Sequence, residues 1–469
     1  MASAAAWLLA RRAGAAAGSL LLLASAMLVV LGAYPVHWPV VHTDAVGWVH
    51  AEDAQGHPAK GPVSLPCGHP IYCYGPVLRA VQMSGLFDDS KTFVDMPCRV
   101  PPGEILKAFQ ALPADPDLPT LAEFVATYFD EVGAELQLWQ PPDWQPAPPT
   151  FDAIVDPEVR RFVDDIHRRW LVLGRQFNRS SGSCDDCFSS FRLPRPFIIP
   201  GGRFREAYYW DSYWVLDGLL LGDMVETARG ILDNFVYMVT TYGFVPNGGR
   251  IYYTARSQPP LLARMVRRFV EHTGDLAFLE EVFPVLVSEH AFWMQRRAVP
   301  LAGADGTQYT LNVYSVPTNV PRPESFKEDE DLADGLPEAE RRDLFRYAEQ
   351  ARDRFGGAHE AGLGDAGCGG ACLGGVTRSH LASGAETGWD YSTRWFRNHS
   401  DFQSIQTRYV VPVDLNSLLY DVEVYLGDVA EQLGQPDQAA YFRSLVRRRR
   451  SAARDGPEKA WWADGLACR

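Results

Sequence analysis

Between residues 228 and 292, apolar side chains recur at steps of three and four, and this spacing restricts the chain to helices more firmly than any other feature. Ala228, Ile231, Leu232, Phe235, Val236 and Val239 fall on one helix face. Leu261, Leu262, Met265, Val266, Phe269 and Val270 repeat the pattern. Gly274 ends that run, and Asp275 stands where the next helix needs an N-cap. Phe278, Leu279, Val282, Val285, Leu286 and Phe292 form the next face. Val422, Tyr425, Leu426, Val429 and Leu433 make another, stopped by Gly434 and Pro436. There is no alternating strand–helix signal. The expected class is therefore all-α, with stacked antiparallel helical hairpins. Residues 139–149, rich in Pro and Trp, read as an extended connector, and residues 356–375, rich in Gly, Ala and Asp, read as a loop insertion.

Composition narrows the function. The 58 acidic residues outnumber 44 Lys and Arg, giving a net charge of -14. Phosphate binding runs on a basic surface, so a nucleic-acid partner is excluded. Aromatic residues make up 12% of the chain, which suits a carbohydrate site, where rings cover the apolar faces of sugars.

The N-terminus addresses the chain. Arg11 and Arg12 precede an uncharged apolar stretch at residues 13–33, the pattern of a secretory signal. Ala24-Ser25-Ala26 offers a cleavage site, yet the stretch is long enough to span a bilayer. Residues 1–36 are therefore a signal peptide or a signal-anchor helix, 37–66 a polar linker, and 67–469 the folded body. The body is expected in the secretory pathway, either extracellular or membrane-anchored outside the cytosol.

Eight cysteines fit an oxidising compartment, and Cys67 with Cys73 can close a small disulfide loop. Cys184 and Cys187 have zinc-ribbon spacing without a second ligand pair, and Cys368 and Cys372 have no neighbouring His. Asn178-Arg179-Ser180 and Asn398-His399-Ser400 are glycosylation sequons.

Four strings carry the chemistry. The first is Pro200-Gly201-Gly202-Arg203-Phe204-Arg205-Glu206-Ala207-Tyr208-Tyr209-Trp210-Asp211-Ser212-Tyr213-Trp214. Its glycines permit a tight turn, Arg203 offers a fork to hydroxyls or a carboxylate, and Trp210 and Asp211 lie among rings. The second is Pro246-Asn247-Gly248-Gly249-Arg250, with Arg256, Ser257 and Gln258 following. The third is Pro321-Arg322-Pro323-Glu324-Ser325. The fourth is Ala385-Glu386-Thr387-Gly388-Trp389-Asp390-Tyr391-Ser392-Thr393-Arg394-Trp395. A carboxyl walled by rings is desolvated, which raises its pKa towards that of a general acid, so Asp390 is expected to be such a group. Each string alone also suits an ordinary turn or core segment. Together they suggest one mouth of a helical ring.

At these residues the sequence resembles the trehalase family of glycoside hydrolases. Residues 200–213 match its first signature, P-G-G-R-F-x-E-x-Y-x-W-D-x-Y, at every fixed position. The resemblance extends from Tyr72-Cys73-Tyr74-Gly75 to Val411-Pro412-Val413-Asp414-Leu415-Asn416. It implies an (α/α)6 toroid that hydrolyses α,α-trehalose to two glucose molecules with inversion and without a cofactor. By motif, Arg203, Trp210, Asp211, Asn247, Arg256, Ser257, Gln258, Arg322, Pro323, Glu324 and Gly388 match sugar-site positions, and Asp390 matches the general acid.

Some features depart from the family. The second signature, Q-W-D-x-P-x-[GAV]-W-x-P, and the segment supplying the catalytic base are absent from the 469 residues, and the match fades near Tyr441 and the basic residues 447–450. The resemblance thus implies a toroid incomplete at its C-terminus. The alternative to an enzyme is a non-catalytic relative or partial product that retains some of the sugar pocket.

Overall fold

A computed structural model describes residues 66–178, 184–302, 306–335 and 370–455. The apolar stretch at 13–33, nearly all of the polar linker, residues 179 and 180 of the first sequon, residues 356–369 of the expected insertion, Cys368 and Cys468 lie outside the described residues. Among those described, no helix is long and apolar enough to cross a membrane.

The fold is all-α. It opens with α1 (Pro76–Met83), α2 (Ser90–Val94), α3 (Pro102–Gln110) and α4 (Leu118–Tyr128). Proline in the first turn of α1, α3 and α4 is placed where its missing N–H costs nothing. After β1 (Leu136–Leu138) come α5 (Pro157–His167), α6 (Trp170–Leu173), β2 (Gly174–Phe177) and β3 (Phe197–Ile198). The three strands form an antiparallel sheet in the order β1-β2-β3, with Leu136 opposite Phe177 and Gly174 opposite Ile198.

Hairpins follow. The first is α7 (Asp211–Leu221) with α8 (Val225–Tyr242), and the second is α9 (Leu262–Thr273) with α10 (Leu276–Arg296). A two-stranded antiparallel ribbon, β4 (Ala298–Ala302) with β5 (Gln308–Asn312), leads to α11 (Phe326–Asp334) and α12 (Gly370–Glu386). The last hairpin is α13 (Val413–Gln432) with α14 (Pro436–Asp455). Connections this short force antiparallel neighbours.

The expected helix faces are the buried ones. Ile231, Leu232 and Phe235 of α8, Met265 and Phe269 of α9, Phe278, Val282 and Leu286 of α10, and Leu426 and Phe442 of the last hairpin share one core. Gly274 ends α9 with φ +70°, and the Asp275 side chain accepts from the Phe278 N–H at 3.0 Å. Pro436, two residues after Gly434, is itself the first residue of α14, the second helix of the last hairpin.

Two sequence expectations are corrected. Residues 370–375, the described end of the Gly-rich stretch, are helix rather than loop, because α12 begins at Gly370. The strands, two to five residues long, went unseen because they are at or below the length at which alternation can be read.

Candidate active site

The first string makes its turn where two glycines permit it. Gly201 and Gly202 have φ of +106° and +62°, and Gly201 and Phe204 exchange backbone hydrogen bonds at 3.1 and 3.2 Å. The second string lies alongside: the Tyr209 N–H donates to the Asn247 carbonyl at 3.1 Å, and the Gly249 N–H to the Ala207 carbonyl at 2.8 Å. Side chains then draw in the rest. Gln258 Oε1 accepts from the Trp210 N–H at 3.0 Å. Asn247 Nδ2 donates to the Ala385 carbonyl at 3.4 Å. Arg256 pairs with Glu324, joining the second string to the third. Arg322 stacks over the Tyr391 ring at 5.4 Å, joining the third to the fourth. Gly388, at φ +71°, lies so close to Trp210 that a Cβ there would fall 2.6 Å from the indole. Trp389 meets the same indole edge-on, with centroids 5.9 Å apart. All four strings converge.

Within this cluster the side chains have different tasks. Ser257 is fully buried and structural: its hydroxyl donates to the Val245 carbonyl at 2.7 Å and its N–H to Glu386 at 2.9 Å. Pro323 gives its carbonyl to Gln82 Nε2 at 2.9 Å. Arg322 is buried and forked onto Asp329 at 2.6 and 2.9 Å. Burial pushes the Glu324 carboxyl up, but Arg256 and Arg322 outweigh it and hold the group below its ordinary range. Arg256 Nε and Glu324 Oε2 have no protein partner despite their burial, the state expected of groups that await a polar ligand. A small cavity with room for about one water lies beside Arg256 and Arg322 and is also lined by Tyr252 and Thr318.

Two carboxylates meet at the aromatic end. Asp211 is the first residue of α7, and its pKa is raised, first by burial and further by the charge of Asp390. Asp390 itself is exposed, as is Trp389 at 47%. This corrects the sequence argument: the rings beside Asp390 do not close over it, so neighbouring aromatic letters did not translate into a desolvating wall.

Several residues that organise the site went unread. Fully buried Glu386 accepts from Arg297 at 2.6 and 2.8 Å and from the Ser257 and Ser315 N–H groups. Lys91 lies between Asp95 at 2.6 Å and Glu206 at 2.7 Å, and Arg250 pairs with Glu135 and Glu206 behind the first two strings. The Lys91–Asp95 spacing of four was the one local signal for this network. Cys67–Cys73 and Cys184–Cys187 are disulfides, so the second pair holds no zinc. Among the described residues no cluster of three His, Cys, Asp or Glu stands ready for a metal.

Fold and site together define a class: helical hairpins that gather Arg forks, indoles and two neighbouring carboxylates at one place. The trehalase family model matches residues 85–355 and 376–464, and the chain belongs to that family. The match carries the likeness through α14, beyond the point near Tyr441 where the motifs alone let it fade. A trehalase of Dictyostelium discoideum is 41% identical over 394 residues, covering 82% of this chain and 61% of that protein. The trehalase of Homo sapiens is 40% identical, with 83% and 62% covered. The chain thus spans about three-fifths of the length of these relatives. A neutral trehalase structure from Saccharomyces cerevisiae aligns at 26% identity and TM-score 0.39, over 54% of this chain and 44% of that one.

Proposed function

We propose that the cluster binds α,α-trehalose and that Asp390 is the general acid of its inverting hydrolysis to two glucose molecules. The observation that carries this reading is the convergence of the four strings on one aromatic end, where Gly388 packs against the Trp210 indole and the charge of Asp390 reaches Asp211. The chemistry divides among the groups. Trp210 and Trp389 offer faces to sugar rings, while Arg203, Arg256 and Arg322 present charge-assisted donors to hydroxyls. Asp390 gives its proton to the bridging oxygen as the anomeric carbon–oxygen bond breaks. Water attacks the opposite face and loses its proton to a second carboxylate, ~6.5–9.5 Å from the acid in enzymes of this type. None of the described carboxylates is assigned that second role.

A second reading, a chain that binds the sugar without turning it over, is favoured by the exposure of Asp390, which leaves its carboxyl without a desolvating enclosure. Incubation with trehalose and measurement of glucose separates the two. Turnover that falls by roughly 10²–10⁴ in Asp390→Asn supports the acid role. Turnover that survives the substitution removes it, and binding by calorimetry without glucose release selects the second reading.

The same proposal places the body in the secretory pathway, secreted or anchored through residues 13–33. Its support is the pair of disulfides and the exposed sequon asparagine Asn398. Recovery of the chain in the cytosol, with free thiols and no glycan, would contradict it.

A further inference from the structure

Arg203 is brought to the site by its motif, yet in the structure its fork is already occupied. Nε donates to Asp89 Oδ2 at 2.6 Å and Nη2 to Asp89 Oδ1 at 2.5 Å. Asp89 is itself fixed, because it N-caps α2 and Oδ1 accepts from the Lys91 N–H at 3.0 Å. Helix α2 is held in turn by the rest of the site. The Ser90 carbonyl accepts from Gln82 Nε2 at 2.8 Å, and the same amide nitrogen donates to Pro323. Ser90 Oγ donates to Glu328 at 2.7 Å, and Lys91 is locked between Asp95 and Glu206. A single short helix is therefore tied to the first and third strings at once.

The pair is not buried: Arg203 and Asp89 side chains are 45% and 35% exposed. A half-exposed ion pair adds little to stability, so its two-point geometry calls for another explanation. A bidentate carboxylate takes the Nε edge of the guanidinium and fixes its plane, leaving Nη1 and one Nη2 hydrogen pointing away from Asp89. The Arg203 guanidinium also lies over the Phe204 ring at 5.3 Å, which fixes its other direction.

We infer that Asp89 is a positioning residue: it sets the Arg203 guanidinium so that its free edge meets hydroxyls of a bound sugar. This deepens the reading of the site as a trehalose pocket and rests on it. Without the clamp, a long flexible side chain has to be ordered each time ligand binds, and affinity falls by that ordering cost.

The experiment measures trehalose affinity of the full chain by calorimetry for the unmodified protein, Asp89→Ser, Asp89→Asn, Arg203→Lys and the Asp89→Ser/Arg203→Lys double variant. Serine keeps an N-cap acceptor for α2 but cannot span the fork, so folding is spared while the clamp is lost. The expected result is about tenfold weaker binding for Asp89→Ser and Asp89→Asn, with melting temperatures near that of the unmodified protein, and no further loss when Asp89→Ser is added to Arg203→Lys. A purely structural role would instead give additive losses that track melting temperature. Unchanged affinity in the Asp89 variants, or additive losses in the cycle, would overturn the inference alone. Failure of the unmodified chain to bind trehalose would overturn both this inference and the reading of the pocket.

Discussion

Glu289 lies fully buried in α10 with the Tyr209 hydroxyl donating to it, and Tyr209 in turn accepts from the Leu262 N–H at 2.9 Å. Burial pushes this carboxyl up to about 7 from an ordinary 4.5, because the single hydrogen bond does not offset the loss of water. The folded protein therefore holds the Glu289 proton more tightly than the unfolded chain does. Its contribution to stability is complete below pH 4.5 and is lost as pH rises through 7, by about 3 kcal/mol in all. Denaturant unfolding at pH 5 and pH 8 should show this decline, and Glu289→Gln should flatten it, since an amide keeps the partner without a charge. Equal pH dependence in the two proteins would show that Glu289 does not titrate in this window. At the same scale, the gathering of the four strings was legible, since their residues from Arg203 to Asp390 lie in or beside one cluster, whereas the exposure of Asp390 was not. What escaped were the partners: Asp89 for Arg203, 114 residues away, and Asp329 for Arg322, seven residues on and across the turn into α11, because neither separation is a spacing that a helix or strand pattern reads.

Helices were legible where one face is apolar and the other wet, as in α8 and α9. Helix α12 was hidden for a physical reason. Its buried residues mix polar with mostly small apolar ones, Thr377, Ser379, His380 and Ser383 beside Val376, Leu381, Ala382 and Ala385, so no one-sided apolar stripe marks it. The two serines are satisfied by exchange with one neighbour: Ser379 Oγ donates to the Val316 carbonyl at 2.8 Å, and the Val316 N–H donates to Ser383 Oγ at 2.9 Å. The helix ends in Glu386, where it gathers Arg297, Ser257 and Ser315. Glu386→Ala would leave the buried Arg297 guanidinium without its carboxylate and two N–H groups without partners, so it should cost about 3–5 kcal/mol. Glu386→Gln, which keeps the acceptor oxygen, should cost less. Chemical denaturation checks the order, and equal losses would mean that the charge rather than the shape of the carboxylate holds the loops. Helix α14 gives a parallel case. Its Arg447 to Arg450 letters form a basic run, yet within it Arg449 is buried, bonded to Glu423 at 2.7 Å and to Asn312 at 2.9 Å. A cation's partner, not its neighbours in sequence, decides whether it is buried.

For the molecule as a whole, the distribution of apolar surface is uneven. The hairpins from α7 to α10 and the α13–α14 pair cover one another around a common core. Helix α5 does the opposite. Val159, Phe162 and Ile166 follow one another at steps of three and four and are 50%, 65% and 45% exposed, while only His167 of that helix is buried. Val155, just before it, is 93% exposed. The sequence pattern alone would assign that stripe to a core, since periodicity reports an apolar face without saying what meets it. A contiguous stripe of this kind favours self-association. The inward side of α5 is anchored by other means: the His167 imidazole stacks on Trp144 at 5.4 Å, and the Asp156 carboxylate caps the helix by accepting from the Glu158 N–H at 2.8 Å. Phe162→Glu therefore removes no buried contact. Unfolding free energy should change by less than about 0.5 kcal/mol, while light scattering at high protein concentration should fall relative to the unmodified chain. A loss of several kcal/mol would show instead that Phe162 is covered in solution, and that the outer face of α5 belongs to an interface rather than to water.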